Sequence, residues 1–376
     1  RIPSIGCITL NIYFLIQNIL SGFGTFLLGI YLKLNWFASI CIGILFSYSA
    51  YRLWRITGHY NLILTGSVPF FILALFKSSY INEKLQLIIN KKWIILLIII
   101  QLLTLFHDYY IAYYQIIIAV SYYLFYYLRL KLKETKSSKI ILACIIFLTA
   151  THFIARLLDM LNLDNKAGLW WGGDLINFIN PTTNSMLYSH PFFKETFSSW
   201  QHYASLTESN IFLGFTFIIL FVWLCIIKIK DKTHADISIL FFLIIIVLLF
   251  MFPTFKLAEK SIFNLPTAIV HYIPFINNFR CNTRMGVFLP LLIPLAFFLF
   301  ISKKYPANSN YIIGLITVCA IIESYPTNYS VFTVKKNVSP IYKSMGLLPN
   351  KVLTIMPTGL GDGFDVLGNF RNIEHF

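Results

Sequence analysis

Two pairs of arginines have the residue type and the spacing to bind one phosphate group each. Arg52 and Arg55 stand three residues apart, and Arg280 and Arg284 stand four apart, so the members of each pair share one face of a helix. The planar guanidinium offers a fork of donors that fits phosphate or carboxylate. At the end of a hydrophobic helix the natural ligand is a lipid-linked phosphate. The alternative is contact with lipid headgroups or with a local carboxylate.

Polar side chains also follow the first arginine pair. His59 and Asn61 come directly after Gly58, which is placed to end the helix. One interpretation is a polar pocket at the membrane boundary, in which these side chains bind substrate. The other is a capped turn flanked by interfacial aromatic residues.

Two aspartates have the chemistry of a catalytic acid or base. Asp108 stands between two apolar segments, where a carboxylate is costly without a partner, so it is either half of an ion pair or a site residue. Asp174 follows two glycines that let the backbone turn closely round it, so its carboxylate is a candidate ligand for a sugar hydroxyl or a metal. The alternative for Asp174 is the N-cap of a short helix along the membrane surface.

The elements that position these residues are hydrophobic helices. The chain is 57% hydrophobic and 12% charged, which leaves too little polar surface to enclose a water-soluble core. Apolar stretches near the length of a membrane span recur along it. The sequence therefore predicts an all-α polytopic membrane protein with about ten transmembrane helices, over 8–31, 36–54, 62–76, 92–106, 109–128, 139–158, 211–227, 237–253, 286–302 and 311–323.

The loops between these segments divide by charge. The net charge of +15 has its explanation in lysine-rich cytoplasmic loops, and we expect no nucleic-acid partner. Taking 129–139 as cytoplasmic also places 77–92 and 228–232 on that side. The long loops 159–210 and 254–285 then face the outside. Most arginines fall on the outer face, against the usual trend, and that face is the expected working face.

The two ends of the sequence carry further expectations. The chain opens on Arg1 with no initiator methionine, so we expect at least one helix and one outer loop to precede it. Residues 1–324 are predicted to form the transmembrane domain, and the more polar 325–376 to begin an extracytoplasmic α/β domain that continues beyond Phe376. The six cysteines contain no CxxC pair and give no metal signature.

Several short motifs together resemble a family. They are Y-R-x-x-x-x-x-G-H-x-N-L at 51–62, D-Y-Y at 108–110, G-x-D-L-I-N-F-x-x-P at 172–181, I-P-F-I-N-N-F-R-x-x-x-R at 273–284 and P-x-G-L-x-D-G at 357–363. Their order is similar to that in a poorly characterised branch of bacterial membrane glycosyltransferases with the GT-C fold, and the likeness covers nearly the whole chain.

The resemblance implies an inner-membrane enzyme that takes a sugar from a polyprenyl-phosphate donor and transfers it on the outer face. It also implies a main catalytic acid in a first outer loop, which would precede Arg1. Asp108 and Asp174 are then the acidic candidates within the chain. Arg280 and Arg284, with Arg52 and Arg55, would stabilise the leaving phosphate. No cofactor is certain, and a divalent cation is an open alternative that the ligand spacing does not indicate.

Two other classes of protein stay open. A transporter would place polar residues at the middle of the bilayer and tends to contain internal repeats. The sequence shows no convincing repeat, and its polar groups collect at one face. The second class is a non-catalytic membrane component of envelope assembly, whose outer loops would bind a partner or a lipid.

Overall fold

A computed structural model describes part of the chain. It describes residues 2–55, 65–81, 87–131, 153–154, 174–181, 187, 190–198, 211–230, 235–257, 260–270, 272 and 282–325. The chain divides into two compact units, Arg1–Leu15 with Tyr329–Phe376, and Ile16–Asn328. Of the first unit, only the beginning of the first helix is described, so the architecture below is that of the second unit.

Apolar helices dominate the first half of this unit. They are α1 (Ile2–Tyr31), α2 (Trp36–Ser47), α3 (Ala50–Arg55), α4 (Ser67–Ser78), α5 (Lys91–His107) and α6 (Tyr109–Lys131). Asparagines begin two of them, because the side chain of Asn35 accepts a hydrogen bond from the Ala38 amide and that of Asn90 from the Lys92 amide.

The second half also consists mainly of helices, and it begins with two short ones. These are α7 (Ile176–Ile179) and α8 (Pro191–Ser198), followed by the longer α9 (Phe215–Lys230) and α10 (Ala235–Met251). The short α11 (Pro266–Val270) precedes a 3₁₀ helix (Asn282–Phe288), which runs directly into α12 (Leu289–Lys304). The last described helix is α13 (Ser309–Ser324).

Two small antiparallel hairpins correct the prediction of an all-α chain. The first pairs β1 (Ser79–Ile81) with β2 (Leu87–Ile89) between α4 and α5. The second pairs β3 (Thr254–Leu257) with β4 (Lys260–Asn264) after α10, with an irregularity between Phe255 and Lys256. Both hairpins occupy polar connections between helices, where pairing satisfies backbone groups that no helix serves.

Four helices are long and apolar enough to cross a membrane. They cover Ile12–Tyr31, Trp36–Leu53, Tyr109–Leu128 and Asn282–Lys304, and four shorter apolar helices accompany them. The predicted count of ten spans is therefore not reached within the described residues. The predicted span 139–158 lies outside them apart from 153–154, and the predicted domain 325–376 lies outside them apart from Tyr325.

Burial distinguishes a central helix from peripheral ones. In the most apolar window of Asn282–Lys304, 94% of the residues are buried, against 33% in Ile12–Tyr31. Large apolar side chains such as Phe106 and Tyr311 lie exposed on outer helices. An apolar exterior around an apolar core matches a bilayer environment.

Contacts between helix ends define two ends of the bundle. At one end the Asn35 side chain donates to Asn310, 2.8 Å away, and Lys77 lies over the Tyr31 ring. Lys33, Lys91 and Lys303 also occur at this end, which we call the lysine end. At the opposite end α3, the start of α6 and the 3₁₀ helix meet around Arg284, and we call it the Arg284 end.

Candidate functional site

The 3₁₀ helix is fixed at the Arg284 end by a tyrosine of α3. The Tyr51 hydroxyl lies 3.2 Å from the carbonyl oxygen of Thr283 and 3.1 Å from that of Arg284, and donates to them. Gly286 permits this approach, because a Cβ there would lie 3.1 Å from the Met251 methyl and 3.2 Å from the Tyr51 ring. The backbone that carries Arg284 is therefore held between α3 and the end of α10.

The Arg284 side chain lies over an aromatic ring at the start of α6. Its guanidinium carbon is 4.3 Å from the centroid of the Tyr110 ring. Tyr110 is buried and Arg284 is half-buried, so this cation–π contact lies at the edge of the protein interior.

Asp108 forms the junction between α5 and α6. Its amide donates to the Thr104 carbonyl and closes α5, and its carboxylate accepts from the Ile111 amide at 2.9 Å. The residue is 4% exposed. This is N-cap geometry, which also places the negative charge at the positive end of the α6 dipole. Tyr110, over which Arg284 lies, is two residues further along the chain, so Asp108 and Arg284 occur at the same end of the bundle.

Asp174 opens the short helix α7. Its carboxylate accepts from the Ile176 amide at 3.0 Å, and its own carbonyl accepts from the Asn177 amide. The Leu175 amide donates to the Lys256 carbonyl, which ties α7 to the β3–β4 hairpin. This geometry is that of the capping alternative, and a second role for the buried carboxylate stays a prediction.

Arg52 is almost fully buried and serves the helix backbone. Its guanidinium donates to the carbonyls of Phe46 and Ser47 in the last turn of α2, and to the Asn18 side chain of α1 at 2.8 Å. Carbonyls at a helix end lack hydrogen-bond donors within the helix, and here the arginine provides those donors. The structure thus gives Arg52 a role in joining α1, α2 and α3, and phosphate binding by this residue stays a prediction.

The remaining predicted site residues are not placed. The backbone of Arg55 ends α3, but its side chain lies outside the described part of the chain, as do His59, Asn61 and Arg280. Neither arginine pair can therefore be seen whole.

Two of the predicted site residues, Asp108 and Arg284, lie at the Arg284 end of the bundle, and Asp174 lies at the start of a different element, α7. We call Asp108, Tyr110, Tyr51 and Arg284 the Arg284 cluster. Asp174 precedes Leu175, whose amide is hydrogen-bonded to the hairpin that follows α10. Within the described residues, no group of three histidine, cysteine or acidic side chains could hold a metal ion.

Sequence reasoning missed Glu323, whose carboxylate begins α9. It accepts from the Thr216 amide at 2.9 and 3.1 Å, next to Gly214 with φ +101°. A single acidic residue at the end of an apolar segment was the available signal. Tyr51 and Tyr110 were missed as well, since tyrosine is common in this sequence and gives no distinctive signal.

An apolar cavity of about 420 Å³ lies beside α7, between α9, α10 and α12. Its lining includes Leu175, Phe178, Phe217, Leu249 and Leu289, and none of the described residues that line it is charged. A cavity of this size and lining accommodates hydrocarbon.

Comparison with known proteins identifies a family without a known activity. Residues 8–325 match a family whose description is Domain of unknown function (DUF6311). No curated protein and no solved structure matches the chain significantly.

Proposed function

Because this chain belongs to the DUF6311 family, whose function is unknown, its own residues must indicate its activity, and we propose that it is a membrane glycosyltransferase. In this proposal a sugar moves from a polyprenyl-phosphate donor to an envelope acceptor on the extracytoplasmic face of the bacterial inner membrane. The proposal includes the finer architecture expected from the sequence, namely about ten spans of GT-C type followed by an external α/β domain.

The observation that carries the proposal is the Arg284 cluster. It has a half-buried guanidinium, over the Tyr110 ring, and the carboxylate that caps α6 at the same end of an apolar helix bundle. Transfer of a sugar from a lipid phosphate needs a base for the acceptor and a cation for the leaving group within one site. The apolar cavity beside α7 adds room for isoprenoid units of the donor.

The reaction is written as an inverting displacement. A carboxylate, Asp108 or Asp174, takes the proton of the acceptor hydroxyl while that oxygen attacks the anomeric carbon. The bond from the anomeric carbon to the phosphate oxygen breaks, and the polyprenyl phosphate leaves with the electron pair. Arg284, with Arg280, neutralises the developing phosphate charge.

Asparagine variants test the carboxylates, because asparagine caps a helix as well as aspartate does but cannot take a proton. Asp108→Asn or Asp174→Asn, at the true catalytic position, is expected to abolish transfer while the unfolding temperature stays unchanged. The assay follows radiolabelled sugar from a panel of polyprenyl-phosphate-linked hexoses and pentoses, with the full protein in proteoliposomes. Full activity in both variants would refute the catalytic role of these two carboxylates, and no transfer by the wild-type protein from any donor of the panel would refute the proposed function.

An arginine variant tests the phosphate site. Arg284→Ala is expected to weaken the binding of a polyprenyl phosphate by about tenfold or more, because charge-assisted hydrogen bonds to phosphate are strong. Arg280→Ala should act in the same direction. Lys260→Ala is the control, since Lys260 is an exposed cation on the hairpin after α10. Unchanged affinity in both arginine variants contradicts the phosphate role.

A further inference from the structure

A second apolar cavity forms a groove along three helices, with a volume of about 670 Å³. α1, α4 and α5 form its walls through side chains such as Leu20, Phe70, Leu73 and Leu96. Leu20 and Leu96 are also 37% and 38% exposed on the outside of the bundle. The groove is thus open sideways to the surroundings of the apolar helices.

Among the described residues that line the groove, one is permanently charged, Lys77 at the lysine end. The Lys77 ammonium lies 4.4 Å from the Trp93 ring centroid and 5.2 Å from that of Tyr31. No carboxylate contacts Lys77 within the part of the chain that the structure describes. The positive end of the α5 dipole, with Lys91 and Lys92 in its first turn, adds to the positive charge there.

The opposite end of the groove carries less charge. The Gln17 side-chain oxygen faces it but already accepts from the Gly66 amide at 3.1 Å. An anionic ligand therefore finds its complement at Lys77. Tryptophan and tyrosine beside a lysine are also the side chains that proteins place at the level of lipid headgroups.

The length of the groove fits a lipid chain. It extends along α5 from Trp93 to His107, about 21 Å at the rise of an α-helix. One leaflet of the hydrocarbon core is about 15 Å thick. A single acyl chain from the leaflet at the lysine end fits lengthwise, with its phosphate beside Lys77.

The geometry points to a binding site for one anionic phospholipid in the groove between α1, α4 and α5, with the lipid phosphate held by Lys77. Lys77 lies at the end of the bundle opposite Arg284, so this site is separate from the proposed donor site. The inference does not depend on transferase activity.

Lipid binding to the purified full chain tests this inference. Native mass spectrometry with added phosphatidylglycerol is expected to show one bound lipid per chain, and markedly less binding of phosphatidylcholine. Lys77→Gln should lower the affinity for phosphatidylglycerol about fivefold, the effect of one lysine near a lipid surface. Leu96→Trp, which fills the middle of the groove, should remove the bound lipid even though Lys77 is intact.

Lys304→Gln is the matched control. Lys304 also lies at the lysine end and also lies over two rings, those of Phe300 and Tyr305 at 5.3 and 5.5 Å, but it does not line the groove. Its substitution should leave lipid binding unchanged. Equal binding of both lipids by the wild-type protein, unchanged binding in Lys77→Gln or Leu96→Trp, or a dimer that covers the groove would overturn the inference. A loss in Lys304→Gln as large as that in Lys77→Gln would do the same.

Discussion

Charged and polar residues at the helix ends of this protein serve the backbone. Asp108 caps α6, Glu323 caps α9, and Arg52 donates hydrogen bonds to the carbonyls that end α2. Each group lies where a helix leaves amides or carbonyls without intrahelical partners. In an apolar surrounding these groups need a partner, and a buried charge provides one. A buried charged residue is therefore weak evidence for a substrate site. A variant that keeps the capping hydrogen bond but removes the charge is needed to tell the two roles apart.

The Glu323 cap gives a prediction at one residue. Gly214 has φ +101°, and a Cβ there would lie 2.8 Å from a Glu323 carboxylate oxygen. Gly214→Ala is expected to lower the free energy of unfolding by about 1–3 kcal/mol, since both the backbone conformation and the space require glycine.

Gly314→Ala provides the comparison, measured by thermal unfolding in the same detergent. A Cβ at Gly314 would meet only the Phe37 ring, at an ordinary 3.4 Å, and α13 favours alanine over glycine. Similar losses of stability in the two variants would mean that Gly214 has no special role.

At the scale of elements, small residues set the distance between α1 and α2. A Cβ on Gly43 would lie 2.8 Å from the Gly22 carbonyl oxygen, and a Cβ on Gly29 would lie 2.8 Å from the Ser39 hydroxyl. Close approach through glycine and serine is how helices associate where burial of apolar surface gives little driving force.

Gly43→Ala should separate these two helices. The obstructing atom belongs to the backbone of α1 and cannot rotate away, so we expect a loss of about 1–3 kcal/mol. A distance measured between spin labels on α1 and α2 should increase in the variant. An unchanged distance with unchanged stability would show that the crossing tolerates a methyl group.

The sequence predicts the helices better than the junctions between them. The predicted segment 92–106 matches α5 at Lys91–His107 almost residue for residue, because apolar length alone indicates a helix in lipid. The break between α2 and α3 falls inside the predicted segment 36–54. It depends on Arg52 meeting Asn18, 34 residues earlier in the chain, and no local pattern contains that contact.

The candidate site, too, could be predicted only in part from the sequence. Asp108 and Arg284 could be selected from residue type and position, and the structure places both at the Arg284 end of the bundle. Tyr51 and Tyr110, which contact Arg284 and its backbone, could not be selected, since their role arises only from packing. The first hairpin was likewise hidden in a lysine-containing connection that reads as an ordinary loop.

For the whole molecule, the position of a helix in the bundle is not visible in its hydropathy. In the span Asn282–Lys304, which joins the 3₁₀ helix to α12, 94% of the most apolar window is buried, against 33% for Ile12–Tyr31 of α1 and 39% for Tyr109–Leu128 of α6. Burial inside the bundle and contact with lipid select similar residues. Contacts, such as that of Gly286 with Tyr51 and Met251, decide which helix is central.

The two ends of the bundle predict the orientation of the protein in the membrane. Because lysine-rich loops stay in the cytoplasm, 129–139 and 228–232 are expected inside, while 159–210 and 325–376 are expected outside. In a variant without native cysteines, Ser199→Cys should react with a membrane-impermeant maleimide in intact cells. Lys133→Cys should react only after permeabilisation. Labelling of position 199 from the cytoplasmic side alone reverses the assignment.

The hydrogen bond between Arg52 and Asn18 sets a condition on biogenesis. An arginine at the centre of a segment that enters the bilayer alone costs about 3 kcal/mol at the translocon. Arg52 lies near the end of its segment, where the cost is smaller, and its partner is on the preceding helix. Trp36–Leu53 is therefore best integrated together with α1, as a hairpin, so that Asn18 meets the guanidinium during insertion. The polar pair that joins two helices in the finished protein thus couples the membrane entry of one helix to the prior synthesis of the other.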